Sequence, residues 1–152
     1  MADTDLIKLY SGRILKLAAD IPLTERLAAP QATAKTRAPL CGSTVTVDLT
    51  VEGGRISAFG QDVKACALGQ AAATILGAHV IGRTRAEIEA AREALRSMLA
   101  ENGPAPEPPF DQFGVLSAAR DFGNRHASIM LALDATAQAF AEAEAAAAMD
   151  CA

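Results

Sequence analysis

Residues 43–51 form the one clean β-strand pattern of this chain. Apolar and polar residues alternate there in the order Thr44, Val45, Thr46, Val47, Asp48, Leu49, Thr50 and Val51. A period of two places all the apolar side chains on one face of a strand. We therefore expect a strand whose apolar face is buried against helices, while its polar face meets water.

Two further segments are predicted to complete a small antiparallel sheet. The turn Glu52-Gly53-Gly54-Arg55 leads into a return strand over residues 56–63, in which Gly60 is a candidate β-bulge. Residues 30–37 are a weaker strand candidate, at an edge of the sheet. These patterns predict a sheet of two or three strands.

Helical patterns flank the predicted sheet. A first helix is predicted from Leu6 to Asp20, and an alanine-rich helix from Cys66 to about Ile81. The capping box at residues 84–87 begins another helix. The apolar stripe of that helix is Ile88, Ala91, Leu95, Met98 and Leu99.

The last third of the chain adds a proline-rich connector at residues 102–109, a short helix at 113–120 and a final helix from near Asn124. Alanine and acidic residues after Glu142 predict a flexible tail. The predicted fold class is therefore α+β, with a small antiparallel sheet of two or three strands packed against several helices. We expect a single domain over residues 1–152, with its tail from about 142.

Composition argues against several classes of function. The net charge of −4 and the isoelectric point near 5.1 argue against a nucleic-acid partner. No apolar run is long enough to span a membrane, and the acidic N-terminus does not resemble a signal peptide. We therefore expect no membrane partner and a cytoplasmic location, where the three cysteines stay reduced.

Two of these cysteines lie on either side of the predicted hairpin. Cys41 immediately precedes the strong strand, and Cys66 opens the alanine-rich helix, where the helix macrodipole favours a thiolate. Both are expected at one end of the sheet. A shared metal site requires their sulfurs within about 10 Å, because thiolate–metal bonds are about 2.3 Å long. The alternative is that both are small core residues.

These features, in this order, resemble the U-type iron–sulfur cluster scaffold family, which includes IscU, SufU and the N-terminal domain of NifU. The resemblance rests on Leu9-Tyr10-Ser11, on Cys41-Gly42 before a strand, on Cys66 at a helix start, and on the late Arg125-His126. It covers most of the chain. The long segment between Cys66 and the final helix is more like the SufU branch.

The resemblance implies a site in which three cysteines and one aspartate cluster, with a histidine beside the third cysteine. Cys41 and Cys66 match the first two cysteines, and Ser43 stands where the aspartate is usual. The predicted ligands are therefore Cys41 and Cys66 with His126. A surface role for His126 stays open.

The third cysteine of the family has no counterpart in this sequence. Aligning His126 with the family's histidine places Ala127 there, and aligning Arg125 with the SufU arginine places Ser128 there. His79 has no partner in the motif and is interpreted as structural. Cys151, two residues from the end, is expected to have no role.

The resemblance implies a scaffold or carrier in iron–sulfur cluster assembly rather than an enzyme. Such a protein holds iron or a [2Fe–2S] cluster, receives sulfur from a cysteine desulfurase and passes the cluster to apo-protein recipients. Because two thiolates do not complete the four ligands of a cluster, we expect any cluster to bridge a homodimer; the alternative is a labile cluster on one chain, completed by His126 and an exogenous thiol. The alternatives are a zinc-binding, SufU-like sulfur-transfer protein and a degenerate, metal-free paralogue that acts as an interaction module.

Overall fold

The computed structural model describes residues 10–150, without the side chain of Asp150. The start of the predicted first helix and Cys151 lie outside these residues. The described part is an α+β fold with one three-stranded antiparallel sheet, as the sequence predicted. Its strands are β1 (Ala32–Arg37), β2 (Thr44–Glu52) and β3 (Arg55–Lys64).

Four α-helices and two 3-10 helices lie within residues 10–150. The α-helices are α1 (Gly12–Ala19), α2 (Ala67–His79), α3 (Arg85–Ala100) and α4 (His126–Asp150). The 3-10 helices cover Asp111–Ala119 and Gly123–Arg125. Within the described residues the predicted first helix begins at Gly12 and ends at Ala19, and the side chain of Ser11 caps it by accepting a hydrogen bond from the Ile14 backbone N–H.

The strand order is β1-β2-β3, so the strongly patterned strand is the central one and β1 is an edge. Gly53 and Gly54 both have positive φ, as a tight hairpin turn requires. The register shift lies between Thr50 and Val51, not at Gly60 as predicted. Gly60 instead allows a close approach, because a Cβ there would collide with the Glu25 carbonyl oxygen.

The apolar face of β2 forms the centre of the core. Val45, Val47 and Leu49 are fully buried, as the alternation predicted. Helix α4 packs across β1 and β2, and α2 and α3 pack on α4. The capping box of α3 is present in both directions between Thr84 and Glu87, and the whole predicted apolar stripe of α3 is buried.

The opposite face of β2 is not all open to water, contrary to our expectation. Asp48 is fully buried. Its carboxylate accepts hydrogen bonds from both Arg26 Nε and Nη2, from the Leu27 N–H at 3.1 Å and from the Thr33 hydroxyl at 2.6 Å. The residues before β1 therefore fold over this part of the sheet and enclose Asp48. Alternation alone could not reveal that cover.

Helix α4 continues past residue 142, where we expected a flexible tail. Ala143 is fully buried, and Glu144 accepts a hydrogen bond from Arg85 at 3.0 Å. These contacts hold the end of α4 against α3. None of the helices in the described part of the chain has the length and apolar character needed to cross a membrane.

Candidate functional site

The sheet register brings both predicted cysteines to the same end of the sheet. Thr44 at the start of β2 pairs with Arg37 at the end of β1 and with Lys64 at the end of β3. The loop that joins β1 to β2, residues 38–43, therefore lies beside the exit of β3. Cys41 belongs to that loop, and Cys66 follows β3 directly before α2.

The loop at residues 38–43 exposes Cys41 and turns Ser43 inward. The Ala38 N–H donates to the Ser43 carbonyl at 2.9 Å, and the Gly42 N–H donates to the Ala38 carbonyl at 2.8 Å. Gly42 adopts a φ of +73°, a conformation that glycine accommodates without strain. As a result Cys41 is exposed, whereas Ser43 is 5% exposed.

Cys66 lies at the point where α2 approaches α4. It is the N-cap residue of α2 and is partly exposed. A Cβ on Gly69, one turn further along, would lie 2.8 Å from Ser128 Oγ. Glycine at this position therefore lets the first turn of α2 pack directly on the first turn of α4, which places Ser128 beside Cys66.

Four side chains form a continuous row of polar contacts at this end of the sheet. The Cys41 thiol donates to Ser43 Oγ at 3.0 Å, and the Ser128 hydroxyl donates to Ser43 Oγ at 3.4 Å. Ser128 Oγ also lies 3.3 Å from Cys66 Sγ. We call Cys41, Ser43, Ser128 and Cys66 the Cys–Ser row. This path links the two sulfurs through two serine hydroxyls, so the sulfurs lie less than about 10 Å apart, the limit set above.

The electrostatics of the Cys–Ser row favour an anion. The hydroxyl of Ser43, followed by its backbone N–H, stabilises the Cys41 thiolate and lowers the pKa of that thiol. Helices α2 and α4 both begin at the row, and neither has an acidic residue in its first turn. Their N-terminal dipoles are therefore not neutralised there by side chains of their own first turns.

His126 is placed differently from the two cysteines. Its Nε2 lies 3.0 Å from the carbonyl oxygens of Ala119 and Arg120, so this nitrogen donates within the turn that precedes α4. Within residues 10–150, no three His, Cys, Asp or Glu side chains form a group that could hold a metal ion. The structure thus brings Cys41 and Cys66 together without His126, and metal binding by any of the three stays a prediction.

The two serines of the row are not among the ligands predicted from the sequence. Ser128 is 1% exposed and contacts Cys66 and Ser43, whereas Ala127 is exposed. Of the two alignments at the start of the last helix, the one based on Arg125 therefore matches the geometry. That Ser128 stands where the family has its third cysteine, and Ser43 where it has its aspartate, stays a prediction from the resemblance.

Comparison with solved structures identifies the family. The crystal structure of a nitrogen-fixing NifU-like protein (N-terminal) from Brucella abortus matches with a TM-score of 0.90 and 42% sequence identity. The match covers 93% of this chain and 98% of that chain. The chain belongs to the U-type scaffold family, as a NifU-like N-terminal domain. This result confirms the resemblance inferred from the cysteine motifs.

Two more distant structures share the fold of this family. One is a SufU protein from Fervidobacterium islandicum AW-1, with a TM-score of 0.77 and 18% identity over 88% of this chain and 98% of that one. The other is a hypothetical protein with a TM-score of 0.70 and 15% identity over 92% of this chain and 98% of that one. Neither a family profile nor a curated protein sequence matches the chain.

Proposed function

We propose that this chain is a scaffold or carrier in iron–sulfur cluster assembly and that Cys41 and Cys66 hold its cargo. The observation that carries the proposal is the Cys–Ser row, in which Ser43 and Ser128 link two thiols of a U-type family member at one end of the sheet. The SufU structure supports it, since that protein is described as a candidate iron–sulfur cluster assembly scaffold for the SUF system. Its role is to hold and pass on a cargo, not to turn over a substrate.

The two thiols of one chain supply half of the terminal ligands that a [2Fe–2S] cluster needs. Such a cluster takes four terminal ligands, usually thiolates, and one chain supplies two of them. The hydroxyls of Ser43 and Ser128 are neutral and hard, so they are poor ligands for iron in a cluster. We therefore propose that a second copy of the chain supplies the other two thiolates, so that the cluster bridges a symmetric dimer. The exposure of Cys41 at its loop tip supports this arrangement.

Cys41 is the better placed of the two cysteines to accept sulfur. It is exposed, and Ser43 stabilises its thiolate, whereas Cys66 is only partly exposed. The Cys41 thiolate attacks the terminal sulfur of a persulfide on a cysteine desulfurase. The new S–S bond forms on Cys41 as the S–S bond of the donor breaks, and the desulfurase cysteine leaves as a thiolate. Apo-proteins are the proposed recipients of the finished cluster.

Anaerobic reconstitution with iron and inorganic sulfide tests the proposal. Iron and acid-labile sulfide are measured per chain, together with the visible absorption spectrum. The wild-type chain should take up a cluster, and Cys41→Ser and Cys66→Ser should each lose most of it. Cys151→Ser removes the remaining cysteine and is the matched control, which should load as the wild type does. Retention of the cluster by Cys66→Ser with loss in Cys151→Ser would contradict the assignment.

The same samples separate the alternative functions. Stoichiometric zinc in the purified protein, with no cluster after reconstitution, would replace the proposal by zinc-dependent sulfur transfer. Neither metal nor cluster would leave an interaction module. Size-exclusion chromatography adds the oligomeric state: the cluster should elute with a dimer, and a monomer with a stable two-iron cluster in the absence of added thiol would refute the bridged arrangement.

A further inference from the structure

Three cationic side chains lie beside the Cys–Ser row on the solvent face of the sheet. Arg37, Thr44 and Lys64 are paired across all three strands and so form one lateral row of side chains. The next lateral row on the same face contains Lys35 and Asp62, paired through Thr46. We call Lys35, Arg37 and Lys64 the cationic face.

The strand register and one hydrogen bond show that the cationic face lies on the side of the sheet away from the helices. Thr36, which lies between Lys35 and Arg37, donates from its hydroxyl to the Leu131 carbonyl of α4 at 3.0 Å. Successive side chains of a strand point to opposite faces, so Lys35 and Arg37 point away from the helices. Lys35, Arg37 and Lys64 are all exposed.

The charge of this face is opposite to that of the whole chain. The two lateral rows hold one carboxylate, Asp62, which lies 3.9 Å from Lys64. The chain as a whole carries a net charge of −4. Further from the Cys–Ser row, the Arg26–Asp48 pair and the backbone at Glu25 cover the same side of the sheet. This cover does not extend to the end of the sheet at the two cysteines, where Lys35, Arg37 and Lys64 are exposed.

A large apolar side chain is exposed in the loop that follows Arg37. Leu40 is 81% exposed, although it is a large hydrophobic residue, and it precedes Cys41 at the loop tip. Arg37 lies four residues before Cys41, and Lys64 lies two residues before Cys66. A macromolecule that contacts these cations would thus also reach Leu40 and the more exposed thiol.

We propose that the cationic face docks an acidic surface of the protein that delivers sulfur to Cys41, with Leu40 as an apolar contact beside it. This inference rests on the proposed function. Complementary charges steer two proteins toward each other and fix their relative orientation. Such orientation is needed here because the donor must bring a persulfide to one thiol at the edge of the sheet.

The test is binding of the metal-free chain to a purified cysteine desulfurase of the same organism, measured by calorimetry at two salt concentrations. The variant Arg37→Gln/Lys64→Gln neutralises the cationic face. The matched control Arg85→Gln/Arg96→Gln neutralises two exposed arginines of α3, on the helical side of the sheet. The first variant should raise Kd about tenfold at low salt and flatten its salt dependence, while the control stays near the wild-type Kd.

Loading with iron and inorganic sulfide keeps this test separate from that of the proposed function, because it needs no protein donor. The neutralised variant should load as the wild type does, which also shows that it is folded. Wild-type affinity and salt dependence in a variant that loads would overturn the docking face and leave the scaffold role intact. Failure of the wild type to load would instead overturn the scaffold role. Loss of homodimers with unchanged desulfurase binding would show that the face takes a second copy of the chain.

Discussion

Two polar clusters at strand β2, five residues apart in the sequence, differ in how their polar groups are satisfied. At Asp48, a buried carboxylate accepts hydrogen bonds from Arg26, from the Leu27 N–H and from the Thr33 hydroxyl. At Ser43, the contacts join only hydroxyls and thiols. The first cluster contains a charge and its counter-charge, and the second contains neither.

This difference agrees with our proposal that the first cluster stabilises the fold and the second binds the cargo. Every donor that reaches Asp48 comes from the chain itself, and Arg26 holds the pKa of this carboxyl below its usual range. In the Cys–Ser row the sulfurs have only weak hydrogen-bond partners, and the Cys41 pKa is lowered without a cation. A thiolate in that setting lacks a counter-charge, which iron would supply.

The largest expected effect on stability is that of Asp48→Asn. The change removes the charge that Arg26 and the Leu27 N–H bind, so the free energy of unfolding should fall by about 2 kcal/mol. Ser43→Ala, which removes only neutral hydrogen bonds, should cost about 1 kcal/mol or less. Urea denaturation of both variants measures the difference. Equal losses would mean that the two clusters do not differ in this way.

The same carboxylate predicts a pH dependence. Because the pKa of Asp48 is lowered in the folded chain, its contribution is complete above the unfolded-state value of about 3.9. That contribution is lost as the pH falls through the lower, folded-state pKa. Between neutral pH and the lowest pH at which both proteins remain folded, the wild type should therefore lose more stability than Asp48→Asn. An equal loss of unfolding free energy at acidic pH in the two proteins would contradict this role of Asp48.

The fold was largely predictable from the sequence, and the cover over the sheet was not. Alternation over residues 43–51 predicted the central strand, and the capping box predicted the start of α3, because both depend on neighbours in the sequence. Burial of Asp48 depends on Arg26, which is 22 residues away in the sequence and has no periodic signal. An aspartate in an alternating strand looks solvent-facing until that contact is known.

The candidate site was predictable in part, for a similar reason. The order of Cys41 and Cys66 around a hairpin predicted their approach, since a hairpin returns to its starting edge. The inclusion of Ser128 depends on how closely α2 packs on α4 at Gly69, and no local pattern encodes that distance. His126 was predicted as a ligand from the family resemblance, but its ring Nε2 lies 3.0 Å from the carbonyl oxygens of Ala119 and Arg120.

A third thiolate within the Cys–Ser row should change the oligomeric state that binds the cluster, and a thiolate just outside the row should not. Ser128→Cys places sulfur beside Cys66 and, with added thiol, should shift the reconstituted cluster from dimer to monomer, because one chain then offers three of the four terminal ligands and a single added thiol completes them. Ala127→Cys adds the same group at an exposed neighbouring position and should leave the dimer in place. Size-exclusion chromatography with iron quantification distinguishes them. The opposite pattern would place the family's third position at Ala127.

A smaller effect is expected on the reactivity of Cys41. Ser43→Ala removes the hydroxyl that stabilises the thiolate, so the pKa of Cys41 should rise toward that of an ordinary thiol. The rate of iodoacetamide alkylation against pH measures it in the metal-free chain, with Cys66 and Cys151 both replaced by serine. An unchanged profile would mean that Ser43 does not activate Cys41.

The smallest expected effect on iron is that of His126→Ala. The change removes the ring nitrogen that donates to the Ala119 and Arg120 carbonyls, which should cost about 1 kcal/mol of stability. Iron content after reconstitution should stay at the wild-type level, because the Cys–Ser row keeps both thiols. A clear loss of iron would make His126 the third ligand that the sequence suggested.

The most direct test of the central claim measures iron content and unfolding free energy together in Cys66→Ser and Asp48→Asn. Each variant should change only one of the two measured quantities. Cys66→Ser should lose most of its iron while its free energy of unfolding changes by less than about 1 kcal/mol. Asp48→Asn should lose stability and, at a temperature where it is folded, load iron as the wild type does. Full loading of Cys66→Ser, or loss of iron from folded Asp48→Asn, would contradict the assignment of the Cys–Ser row as the cargo site.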